Sequence, residues 1–176
     1  TVYKNGKPFL IDIGVESYTK KTFSPQRYEI WTMQSAWHDL PTFGGVQQLP
    51  GAGYAARDVR TTEDSITGEL VGAYPPIEGM TTYRRTVSVS EQGITLQDET
   101  DWPGTVELTL LTEQKPAPAP DGLAVRTLGG IRFAPQAVKA EITPVPITDP
   151  RLRTAWPDTI YKITLHFNKM LQLILY

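Results

Sequence analysis

The feature that most narrows what this chain can fold into is a period-two alternation of apolar and polar residues. Val87 and Val89 alternate with Thr86, Ser88 and Ser90, and Val106, Leu108 and Leu110 alternate with Glu107 and Thr109. The same rhythm runs through Val138, Ala140 and Ile142, and through Tyr161, Ile163, Leu165 and Phe167. Side chains on a strand point alternately to opposite faces, so this pattern describes strands with one buried and one wet face. Turn dipeptides divide the runs: Asn5-Gly6, Gly44-Gly45, Gln92-Gly93, Pro103-Gly104, Asp121-Gly122 and Gly129-Gly130. Fifteen prolines and fourteen glycines leave little room for a long helix. The pattern predicts an all-β fold over residues 1–176, a large antiparallel β-sandwich of curled sheets with few or no helices.

Two stretches read as loops. Residues 115–120 carry alternating prolines and are expected to run extended between strands without ladder bonds. Residues 144–157 are also punctuated by prolines, with a short helical turn expected after Asp149 as N-cap and Pro150 at the first helical position. The apolar tail from Met170 to Tyr176 is too short to span a bilayer and is broken by Gln172, so it reads as a buried or edge strand. No membrane span is expected. The first residues, Thr1 to Lys7, already read as half of a hairpin, which suggests a piece of a longer protein.

Composition removes several function classes. Cysteine is absent, which excludes disulfides and thiolate metal sites. The formal charge of −2 gives no basis for a nucleic-acid binder, and an acidic polymer would need a local basic patch. There is no Gly-x-Ser-x-Gly elbow, phosphate loop or zinc helix. Only two histidines exist, His38 and His166. His166 lies on the polar face of a late strand and reads as a surface residue. Asp12 interrupts the apolar run Phe9–Val15 and reads as an outward or turn-bonded carboxylate. Arg57, Arg60, Arg84 and Arg85 offer forks suited to a sugar carboxylate, although Arg84 and Arg85, being adjacent, must point to opposite faces and Arg57 has Asp58 beside it. Tyr54, Trp31 and Trp37 are suited to stacking on sugar rings or, equally in chemical terms, to core packing. Among these, Tyr54, Arg57 and Trp37 are the substrate-binding candidates.

The segment Gly6-Lys7-Pro8-Phe9-Leu10-Ile11-Asp12-Ile13-Gly14, followed by Tyr18-Thr19, Arg27-Tyr28 and Ser35-Ala36-Trp37-His38-Asp39, resembles the start of the C-terminal β-domain of heparinase II/III-like polysaccharide lyases. Leu110 to Pro116 and Asp149 to Ile163 resemble later pieces in the same order. The resemblance implies a bacterial protein with an N-terminal helical toroid that precedes this domain and packs on it; the compartment is not readable from the sequence, with periplasmic or secreted favoured over cytoplasmic. It implies β-elimination on a uronic-acid polysaccharide such as a glycosaminoglycan or alginate. That reaction removes a proton beside a carboxylate, which must be neutralised, and protonates a leaving oxygen. In such lyases most of the catalytic groups come from the helical domain, and one His comes from the β-domain, here His38. The family's residue after that His is Asn, where this chain has Asp39. The resemblance also implies a structural zinc, with His38 and Asp58 as candidate ligands by chain order. A closed zinc site needs about four ligands, and residues 106–112 supply no further His. Two other readings stand beside the lyase domain: a carbohydrate-binding module without catalysis, which predicts a strip of exposed aromatics, and a purely structural sandwich.

Overall fold

The computed structural model describes residues 1–134 and 136–176. Among them the chain forms fourteen strands and only short 3-10 turns. The first hairpin joins β1 (Val2–Lys4) to β2 (Lys7–Leu10). Asn5 and Gly6 both have positive φ, 52° and 73°, the conformation that a tight two-residue hairpin turn requires. Then follow β3 (Pro41–Phe43), β4 (Arg57–Thr61), β5 (Ser65–Glu69), β6 (Tyr83–Ser90), β7 (Gly93–Thr100) and β8 (Thr105–Thr112). The chain closes with β9 (Ala117–Ala119), β10 (Gly122–Val125), β11 (Gly129–Arg132), β12 (Lys139–Pro146), β13 (Thr159–Asn168) and β14 (Met170–Leu175). No helix among the described residues is long and apolar enough to cross a membrane.

Besides the first hairpin, the strands form an eight-stranded sheet, in the order β4-β5-β6-β7-β14-β11-β10-β9, and a four-stranded sheet, β12-β13-β8-β3. The expected antiparallel sandwich is what forms. Its main core lies between the two sheets, where Val106, Leu108, Leu110, Ile163, Leu165 and Phe167 pack with Leu171, Leu173, Leu175 and Ile131. These are the inward members of the alternating runs. The apolar tail becomes β14, a central strand between β7 and β11. Burying a side chain of this size stabilises by roughly 1.5–3 kcal/mol, and that sum drives the assembly.

Two loop expectations are corrected. Ala117–Ala119 pairs with β10, and Pro144 and Pro146 lie in β12, paired with β13. Pro118, Pro144 and Pro146 all sit on strands at the rim of a sheet, where a missing N–H on the outward side breaks no ladder. The expectation of an unpaired extended segment overlooked that option. The turn after Asp149 forms as expected: Asp149 Oδ1 accepts from the N–H groups of Arg151 and Leu152, both at 3.0 Å, and a 3-10 turn covers Leu152–Thr154.

A charged pair lies inside the core. Arg85 on β6 and Asp98 on β7 face each other in register. The guanidinium donates to both carboxylate oxygens at 2.7 Å, and Asp98 is 1% exposed. Tyr83 Oη also donates to Asp98, and Arg85 Nη1 donates across the sandwich to the carbonyl of Asp39 at 2.8 Å. A buried charge left without its partner costs about 3–5 kcal/mol. Asp98→Ala is therefore expected to lose about that much stability, read as a fall in the urea midpoint. An unchanged midpoint would show that solvent reaches Arg85.

Candidate functional site

The residues from Ile11 to Leu40 wrap the outer face of the four-stranded sheet. Ile11 and Ile13 are buried there with Leu111, Ile147, Leu152 and Ile160, forming a second apolar cluster. The backbone of Ile11 is pinned to Leu111 by an N–H to carbonyl bond of 3.0 Å. Asp12 lies between the two buried isoleucines and points away from them. Its Oδ1 accepts from the Gly14 N–H at 3.0 Å, the turn-bonded geometry expected of it. Gly14 sits at φ 77°, which suits a residue without Cβ. From Lys21 to Trp37 the chain advances in four short 3-10 turns, and His38 caps the last of them.

Both nitrogens of His38 are engaged. Nδ1 lies 2.8 Å from Asp12 Oδ2, and Nε2 lies 2.9 Å from the carbonyl of Thr32. A carbonyl oxygen only accepts, so Nε2 carries a proton. An ionised carboxylate also only accepts, so Nδ1 carries one too. This pairing favours the imidazolium form of the ring. The hydrogen bond to Asp12 raises the His38 pKa against its burial, and the same bond lowers that of Asp12. The His38 side chain is 26% exposed, so the ring is at the surface of the wrap and not sealed in the core.

Asp39 follows in a left-handed conformation, φ 54°. Its carbonyl receives Arg85, and its Oδ1 accepts the N–H of Leu111 at 3.3 Å. Burial pushes its carboxyl up to about 6. Trp37 meets Trp31 edge-on at 4.7 Å, and the Lys162 ammonium sits 4.4 Å over its ring. Burial lowers the Lys162 pKa. Trp31 donates to Glu16, and Trp156 donates to the Ile13 carbonyl. All three tryptophans pack against the second apolar cluster, so Trp31 and Trp37 take the packing role.

The other candidates lie elsewhere. Tyr54 is half-buried in the loop before β4, its N–H bonded to the Gly51 carbonyl. Arg57 and Asp58 are exposed on β4, at the far edge of the eight-stranded sheet. Among the described residues no hydrogen bond or ion pair joins this group to His38. No three His, Asp or Glu side chains among them are arranged to hold a metal. With both His38 nitrogens donating to acceptors of the chain, His38 and Asp58 do not fit a shared zinc site. His166 lies on β13, one strand before the last, half-buried with Glu107 at 3.7 Å and Glu141 at 3.8 Å. No protein-family model matches this chain, and no curated protein matches it.

Sequence reading singled out Asp12 and His38 separately and missed their pairing, and it passed over Asp98 altogether. A signal for Asp98 exists: Ile94, Leu96, Asp98 and Thr100 share one parity, as do Tyr83, Arg85, Val87 and Val89. Opposite charges on the apolar faces of two hairpin strands mark a buried pair.

Two titration outcomes follow. Replacing Asp12 by Asn removes the acceptor that favours the charged ring. The His38 C–H resonances are expected to titrate above 6.5 in the native protein and at a lower midpoint in Asp12→Asn. An unshifted midpoint would remove the imidazolium assignment. For Asp39 the folded pKa lies above the unfolded one, so the folded state holds the proton more tightly. Stability from this group falls as pH rises from about 4 to about 6 and stays low above. Asp39→Asn is expected to stabilise by about 1–3 kcal/mol at pH 8 and hardly at all at pH 4, measured by urea unfolding at both.

Proposed function

We propose that this chain is the β-sandwich domain of a polysaccharide lyase acting on a uronic-acid polysaccharide, forming one wall of a cleft whose other wall is a helical domain of the same polypeptide. The observation that carries the reading is the His38 imidazolium, held between Asp12 and Thr32 at the surface of the wrap, inside the segment that resembles the lyases. The chemistry assigns it a definite role. A ring with both N–H groups donating cannot take a proton, so His38 is not the base. Its positive charge suits the neutralisation of a sugar carboxylate as negative charge builds up beside it. Asp12 shifts the ring toward its charged form. Because the domain supplies no base, it is inactive alone, and base and acid come from the other wall.

The test is lyase activity of the full-length protein on acidic polysaccharides, followed by the ultraviolet absorbance of the unsaturated uronate product. Removing one positioned electrostatic group typically costs about 10²–10³ in turnover. His38→Ala is expected to fall in that range, and Asp12→Asn to lose less because the ring remains. Full activity in His38→Ala would overturn the role, and the absence of any unsaturated product from the native protein would overturn the reading.

One observation favours the binding-module reading instead. Tyr18, Phe23 and Tyr28 are 58%, 78% and 43% exposed on the wrap, and Tyr18 and Phe23 meet edge-on at 5.5 Å. Retention of the chain on neutral polysaccharide, abolished by Phe23→Ala, would support that reading.

A further inference from the structure

The outward face of the eight-stranded sheet holds a second cluster of charges, remote in the fold from the wrap around His38. Asp58, Arg60, Thr67, Glu69 and Arg84 line a cleft of about 210 Å³ where β4, β5 and β6 run side by side. The two arginines there have no ion-pair partner among the described residues, and the local register explains why. Arg84 stands between Glu69 on one side and Glu99 on the other. Glu69 Oε1 is drawn away by two backbone N–H groups, those of Tyr83 at 2.7 Å and Val71 at 3.2 Å. Glu99 is hydrogen-bonded by Gln97. Arg60 stands opposite Thr67, whose hydroxyl is bonded to that of Thr86 at 2.8 Å.

The backbone beside them is distorted. Arg57 pairs with Glu69 and Arg60 pairs with Thr67, so three steps along β4 match two along β5. The extra residue makes a β-bulge, and Asp58 within it sits at φ 50°, in the left-handed region. A bulge re-aims the side chain it carries. Here it brings a carboxylate with no hydrogen bond among the described residues into the wall of the same cleft. Two guanidiniums and the Asp58 carboxylate, none with a hydrogen-bond or ion-pair partner among the described residues, therefore share one concavity with the backbone-bonded Glu69.

The geometry points to a binding site for one uronate residue of an acidic sugar chain. A guanidinium fork matches a carboxylate, and the free Asp58 carboxylate accepts from sugar hydroxyls. A dianionic phosphate monoester would meet Asp58 with like charge and no hydroxyl on the phosphoryl group to offer it. The volume is below the roughly 300–1,000 Å³ of sites that enclose whole small molecules, so it takes one ring while the rest of the chain crosses the polar face of the sheet. This site deepens the reading above and rests on it for the class of polymer, but not for any catalytic step.

The experiment is titration of the full chain with an unsubstituted oligogalacturonate and with the corresponding neutral galactose oligomer, followed by amide shifts. The expected result is binding of the acidic oligomer alone, with shifts at Asp58, Arg60, Thr67 and Arg84. Arg60→Ala and Arg84→Ala are exposed changes expected to keep the fold and to weaken the Kd at least tenfold each. Asp58→Gly keeps the bulge conformation and is expected to weaken it a few-fold without lowering the Tm. His38→Ala is expected to leave the Kd unchanged. Equal binding of the neutral oligomer, no binding, or a Kd insensitive to both arginine changes would overturn the site. Binding as described, with no lyase activity in the full-length protein, would sustain the site and remove the catalytic reading. Lyase activity without binding here would do the reverse.

Discussion

The contact on which the rest of the geometry depends is the buried ion pair of Arg85 and Asp98, because it has a third partner. Two nitrogens of the guanidinium neutralise Asp98 within the eight-stranded sheet, and the remaining one reaches across to the carbonyl of Asp39. That carbonyl belongs to the segment leading into β3 of the opposite sheet. A single side chain thus fixes the distance between the layers at one end of the sandwich and the path of the residues beside His38. Hydrophobic burial sets the stability, but it has no direction. The fork of donors does have one, and it explains how a non-glycine residue is kept in a left-handed conformation at position 39.

Around that anchor the chain arranges charge in two different ways. At His38 both ring nitrogens find a partner within the protein, and the pairing favours the cation. On the outward face of β4 to β6 the reverse holds: backbone groups and neighbouring side chains take the natural partners of Arg60 and Arg84 and leave those two without one among the described residues. The first arrangement preorganises a charge, and the second leaves charges for a ligand to meet. Both suit the recognition of an acidic sugar, by opposite routes.

Much of the architecture was legible in the alternation of residues, because a period of two has only one structural meaning when its apolar members must be buried. The strands β6, β7, β8, β13 and the tail strand β14 follow from it directly. The wrap from Lys21 to Trp37 does not, since short 3-10 turns have no repeating apolar period long enough to read. The strand containing Pro118 and the end of β12 containing Pro144 and Pro146 read as loops from sequence because proline breaks a ladder in the middle of a sheet, and sequence does not say which strand stands at the rim. The pairing of Asp12 with His38 was invisible for a different reason. It joins two loops 26 residues apart, and only the docking of both on Leu111 and its neighbours brings them together.

The placement of those prolines has a consequence for how the molecule meets others. The four outermost strands of the two large sheets are β4, β9, β12 and β3. One, β4, carries a bulge, the other three carry prolines, and β9 and β3 are only three residues long. Each interruption spoils the row of free amides and carbonyls on which another polypeptide would polymerise. Fibre growth by strand addition is thereby discouraged at every margin. A companion molecule is left to engage this protein by its side chains, on the flat of a sheet or on the wrap, where selectivity can be written residue by residue.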